Sequence, residues 1–134
     1  MRLELNIDKQ FKEYLTQKVD TSVPNNYVNI IGIRYRFNFN NGCQASVVKS
    51  TFSYGGDCDL WEVAILKNED MYNCKLVEEN EVLGYLTDKD VNIFLYCVKN
   101  KIFNVRLEQI KEIGEIIGLE QFKEIGEIIG NDNL

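Results

Sequence analysis

From Ile31 to Phe39 the chain alternates with period two. Ile31, Ile33, Tyr35, Phe37 and Phe39 share one parity, and Arg34, Arg36 and Asn38 the other. Successive side chains of a strand point to opposite faces, so the pattern predicts a half-buried strand over 27–39. Asn40-Asn41-Gly42 follows, and Asn-Gly supplies the positive φ angles of a tight hairpin turn. A return strand over 43–50 is therefore expected. Residues 51–59 read as a loop with Tyr54-Gly55-Gly56. Residues 60–66 carry Trp61, Val63 and Ile65 on one parity and Leu60, Ala64 and Leu66 on the other, which suits a central strand buried on both faces. Asn68-Glu69-Asp70 turns the chain into a fourth strand, 71–77.

Around this sheet the sequence predicts helices. Leu3, Leu5 and Ile7 suit a short leading strand. Asp8 can cap a helix over 8–19, with Phe11, Leu15 and Val19 on one stripe and Tyr14 beside them. Val82 to Leu86 reads as a short extended piece. Thr87 is a good N-cap, and Asp88 and Asp90 complement the positive end of a helix over 88–100 that buries Val91, Phe94, Leu95 and Val98. The expected fold is α+β: an antiparallel four-stranded meander with an N-terminal helix, a helix after the sheet, and a duplicated helical extension.

The extension is a tandem repeat. Residues 108–119 (EQIKEIGEIIGL) and 120–131 (EQFKEIGEIIGN) agree at all positions except 110/122 and 119/131. The chain thus divides into an α+β domain, 1–107, and an acidic tail, 108–134. In one straight helix a twelve-residue repeat rotates by about 1200°, leaving the second apolar stripe about 120° from the first. A helix apolar all round must be buried all round or must break. Gly118 is the natural break. The alternative is that Phe122, Ile125 and Ile129 pack on a second chain, making a homodimer. The formal charge of −6 is concentrated here: the tail carries Glu108, Glu112, Glu115, Glu120, Glu124, Glu127 and Asp132 against Lys111 and Lys123.

Several chemistries are disfavoured at once. With no histidine there is no His-based triad, no His-ligated zinc and no imidazole base. The cysteines at 43, 58, 74 and 97 form no Cys-x-x-Cys pair, so a structural zinc is not expected. Cys43, Cys74 and Cys97 read as small core residues. Cys58 lies in a loop between acids rather than the positive neighbours a reactive thiolate needs, which argues against a nucleophile. No apolar run approaches the roughly 20 residues of a bilayer span, and the first residues do not form a signal peptide. A cytoplasmic protein without cofactor or metal is the expectation.

A resemblance narrows the function. Ala45-Ser46-Val47-Val48-Lys49, then Ser53-Tyr54-Gly55-Gly56, Leu60-Trp61-Glu62-Val63-Ala64-Ile65-Leu66 and Gly84-Tyr85-Leu86-Thr87-Asp88-Lys89-Asp90-Val91 resemble, in that order over about residues 28–100, a family of small uncharacterised proteins of phages and mobile elements of low-GC bacteria. The resemblance implies a compact α+β accessory protein and transfers no catalytic residue. Its functional reading is a non-catalytic protein-binding rim of Tyr54, Asp57, Asp59 and Trp61, acting on a host or phage protein. An inhibitor occluding a host defence nuclease is the concrete version. The first alternative is a small nucleic-acid binder using Arg34, Arg36, Gln44 and Lys49 on one strand face, against which the net acidity counts. The second, weaker still, is a metal-dependent enzyme using Asp57, Asp59 and Glu62.

Overall fold

The computed structural model describes residues 1–24, 29–67, 70–71, 82–102 and 107–117. Its centre is the expected antiparallel hairpin, and the sheet is wider than four strands. The strands are β1 (Leu15–Asp20), β2 (Gly32–Asn38), β3 (Gln44–Ser50), β4 (Trp61–Lys67), β5 (Asp70–Met71) and β6 (Val82–Leu86), and two α-helices follow, α1 (Asp88–Lys99) and α2 (Leu107–Ile117). The order is β1-β2-β3-β4, and the far edge of β4 is shared: β5 pairs at Leu66↔Met71 and β6 at Trp61↔Leu86. The sheet is thus five strands wide, with β5 and β6 end to end in the fifth place. Of the fourth strand expected over 71–77, only the Met71 end falls among the described residues.

The hairpin follows its alternation. Ile33, Tyr35, Phe37 and Phe39 are buried on the core face, while Arg34 and Arg36 lie half-buried on the other. The strand starts later than the pattern suggested, and Ile31 is 44% exposed. In the turn only Gly42 takes a positive φ, at 84°. The Phe39 and Gly42 amides close it on the Cys43 and Phe39 carbonyls, a type I turn with a left-handed closing residue. Asn41 then does a second job. Its Nδ2 donates to the carbonyls of Val98 and Lys99 at 2.9 and 3.0 Å, so the hairpin turn caps the C-terminus of α1.

Two expectations about the N-terminal segment are corrected. Asp8 does cap, accepting from the Gln10 amide at 3.0 Å, but the turn it starts is a 3-10 helix over Lys9–Tyr14. The chain then extends as β1 rather than continuing as helix to 19. β2 would otherwise leave a row of free amides and carbonyls, and β1 pairs with them from Leu15↔Phe37 to Asp20↔Ile33. Residue spacing alone does not register that demand, so Val19, placed on the apolar stripe, is an exposed edge residue.

Residues 1–8 form no strand. Their backbone is satisfied by side chains instead. Tyr35 Oη accepts from Leu5 N at 3.2 Å and donates to the Leu3 carbonyl at 3.0 Å. Asp88 accepts from Asn6 N at 3.0 Å, and Asn92 Oδ1 from Asp8 N at 2.8 Å. Asn92 Nδ2 returns to the Asn6 carbonyl at 2.8 Å.

α1 fits its sequence closely. Thr87 and Asp90 form a reciprocal capping box, each side chain accepting from the other's amide at 3.1 Å. Val91, Phe94, Leu95 and Val98 are buried in one cluster with Tyr35, Phe37, Val47, Trp61 and Val63. α2 lies on α1 through the fully buried Ile110 and the buried Gly114. A Cβ at Gly114 would run into Ile93 Cδ1, so glycine allows the two helices to approach. The bend at Gly118, and Phe122, Ile125 and Ile129 with the proposed dimer contact, fall outside the described residues.

Candidate functional site

The loop between β3 and β4 is fixed from its first turn. Ser53 Oγ accepts from the Ser50 amide at 2.9 Å and donates to its carbonyl at 3.1 Å. Gly56 packs so tightly on the Ser50 carbonyl that no side chain fits there. Gly55 has φ 91° and Asp59 φ 62°, bracketing a short 3-10 turn over Gly56–Cys58. The loop locks to β6, where the Tyr85 amide donates to the Tyr54 carbonyl at 3.2 Å and Gly84 abuts the Tyr54 side chain.

β6 departs from regular strand geometry. Val63 pairs Leu83 while Trp61 pairs Leu86, so two residues of β6 stand opposite one of β4. That is a bulge, and Tyr85 occupies it with φ 63°. A bulky residue in the left-handed region is strained, and glycine usually takes such a place. The bulge also turns Tyr85 outward, leaving it 54% exposed. The Tyr85 amide meets the Tyr54 carbonyl, Tyr54 is 61% exposed, and Phe52, two residues earlier in the same loop, is 72% exposed. Ile31, also exposed, lies at the start of this loop's anchorage, where its carbonyl accepts from the Thr51 amide at 2.9 Å. Asp57 is exposed in the same loop, and Glu62 accepts from the Tyr54 amide at 3.2 Å. One end of the sheet therefore carries an apolar, aromatic rim with acids beside it.

Of the four rim residues expected from sequence, Tyr54 and Asp57 hold this position and two do not. Trp61 is fully buried. Its parity with Val63 and Ile65 puts it on the core face, where its Nε1 donates to Asp88 Oδ1 at 2.7 Å and its ring meets Tyr35 edge-on. Asp59 is half exposed but committed, accepting from Lys49 Nζ at 2.8 Å and from Arg2 N at 2.7 Å. Phe52 and Tyr85 were missed. A phenylalanine inside a turn-forming Thr-Phe-Ser-Tyr-Gly-Gly run cannot join a strand alternation, and that was the available signal. Nothing local marks the bulge that exposes Tyr85.

The basic face is also rearranged. The pairing Ile33↔Lys49 places Lys49 on the core side, fully buried, while Arg34 and Arg36 pair Val48 and Ser46 on the other. Lys49 Nζ sits 4.2 Å from the Trp61 ring centroid and donates to the Arg2 carbonyl at 2.8 Å. Across the sheet Arg34, Val48 and Glu62 form one row, so an acid shares the face left to the two arginines.

Beneath the rim lies a polar knot. Arg2 grips Asp88 with two bonds, of 2.7 and 2.8 Å. Burial pushes the Asp88 carboxyl up. The Arg2 hydrogen bonds, the Asn6 amide, the Trp61 indole and the Arg2 charge outweigh it and hold the group below its ordinary value. At Asp59 burial again opposes, and Lys49 and the Arg2 amide again prevail. Burial pushes the Cys97 thiol up to about 12, which leaves it inert, and Cys43 is buried as well. Cys58 is exposed.

Of the three acids proposed for metal chemistry, Asp59 is bound to Lys49 and Arg2, Glu62 accepts from the Tyr54 amide, and Asp57 is exposed. Among the described residues no three His, Cys, Asp or Glu side chains come together to hold a metal. A cavity of about 290 Å³ between α1 and α2 is lined by Thr87, Lys89, Asp90, Ile93, Lys111 and Glu115. Among the described residues no helix is long and apolar enough to cross a membrane. No family model, no curated protein and no solved structure matches the chain.

Proposed function

We propose that the protein is a non-catalytic binder that seats its aromatic rim on the basic, nucleic-acid-handling surface of another protein. In this reading it is an accessory protein of a phage or mobile element that blocks a host nuclease by occupying the channel. The observation that carries the reading is Tyr85, a strained tyrosine held outward against the Tyr54 backbone, with Tyr54 and Phe52 exposed in the adjoining loop. Strain at an exposed aromatic is maintained at the expense of stability, which suits recognition rather than folding. Aromatic side chains are the commonest anchors of protein interfaces, and acids at their margin select a basic partner. Asp57 and Glu62 supply that margin, and the chain's charge of −6 supplies the long-range field. The resemblance to small phage and mobile-element proteins supports the same class of partner.

The test is degradation of linear duplex DNA in a lysate of a low-GC bacterium. Added protein is expected to slow degradation in proportion to its concentration. Phe52→Ala/Tyr54→Ala/Tyr85→Ala, folded by circular dichroism, is expected to lose at least tenfold in potency. Equal potency of the triple variant would remove the rim from the mechanism, and no inhibition by the native chain would remove the nuclease.

A further inference from the structure

We propose that the α1 face which holds the first repeat copy is a docking site that also accepts the second copy, residues 120–129, in its place. The argument joins the described α1–α2 seam to the repeat in the sequence. At the seam α2 presents Ile110 fully buried, Gly114 pressed against Ile93, Ile113 partly buried, and Lys111 and Glu115 lining the cavity with Lys89 and Asp90. Twelve residues on, the second copy repeats this set as Phe122, Gly126, Ile125, Lys123 and Glu127. The glycine that permits close approach and the two charges of the cavity recur at the same spacing. Only the buried seat changes, from isoleucine to phenylalanine. The chain therefore carries two keys of one cut and, among its described helices, one lock.

Two effects set the balance. Seating the second copy lengthens the connection from Lys99 by twelve residues, which disfavours it by about fourfold. Phe122 must also fit a seat shaped by Ile110, and overpacking lowers the population further. The first copy is thus the major occupant and the second a standing substitute.

An amine-reactive cross-linker on the full chain, followed by peptide mass spectrometry, reads the occupant directly. Lys89 joined to Lys111 reports the first copy and Lys89 joined to Lys123 the second. Within monomers of the native chain the Lys89–Lys111 link is expected to exceed Lys89–Lys123 severalfold. Ile110→Asp is expected to reverse that ratio while the melting temperature stays within a few degrees of native. Ile110→Asp/Phe122→Asp is expected to lose both links and to melt far lower than the single variant. A chain lacking residues 108–119 is expected to fold and to show the Lys89–Lys123 link. The proposal fails if single and double variants melt together, if the shortened chain does not fold, or if Lys89–Lys123 links occur only between molecules. The last result would assign the second copy to a neighbouring chain.

Discussion

Asp88 shows how much one side chain can carry. It is 6% exposed, starts α1, accepts the Trp61 indole and Asn6 amide, and takes both arms of Arg2. Asp88→Ala leaves a buried indole N–H and a backbone amide without partners, and is expected to cost about 2–4 kcal/mol in urea unfolding. The sign of the pH effect follows from the lowered pKa of Asp88 and Asp59. A carboxylate stabilised in the folded state contributes fully above the unfolded value near 3.8, and that contribution disappears as pH falls through the lower folded value. Urea midpoints should therefore hold steady from neutrality to about pH 4 and fall below it. Asp88→Asn should start lower and fall less steeply in acid. Lys49 teaches a related lesson. Its charge suggested a surface, whereas its parity with Ala45 and Val47 suggested the core, and parity decided because Trp61 and Asp59 receive the ammonium.

At the scale of elements, the legible parts of the sequence were those whose cause is local. The hairpin announces itself through alternation and Asn-Gly, and α1 through Thr87 and its capping box. Thr87→Ala should lower stability by about 1 kcal/mol, measured by thermal melting. Long-range demand was not legible. β1 exists because β2 needs a partner, and residues 2–8 stay irregular because Tyr35, Asp88 and Asn92 supply their hydrogen bonds. The candidate site divides in the same way. Tyr54 and Asp57 follow from a glycine-rich loop, whereas Trp61 belongs to the core through strand parity and Tyr85 is exposed by a bulge that depends on β4. Tyr85→Gly relieves the left-handed strain and should raise stability by about 0.5–1 kcal/mol. The same change should weaken inhibition of DNA degradation. A variant that gains stability and keeps full potency would mark Tyr85 as incidental.

For the whole molecule, the acidic excess and the aromatic rim predict a salt-dependent association. Raising NaCl from about 0.1 to 0.5 M should weaken inhibition severalfold, because exposed charges more than about 10 Å apart are screened. Asp57→Asn/Glu62→Gln should shift potency less steeply with salt than the native chain does. Residues 2–8 hold a further consequence. Tyr35 holds Leu3 and Leu5, but Arg2, Asn6 and Asp8 are held by Asp88 and Asn92, more than 80 positions away. The seat of residues 2–8 is therefore complete only after the first turns of α1 have been made. Two segments made far apart in time thus share one set of hydrogen bonds, and the later one completes the anchoring of the earlier.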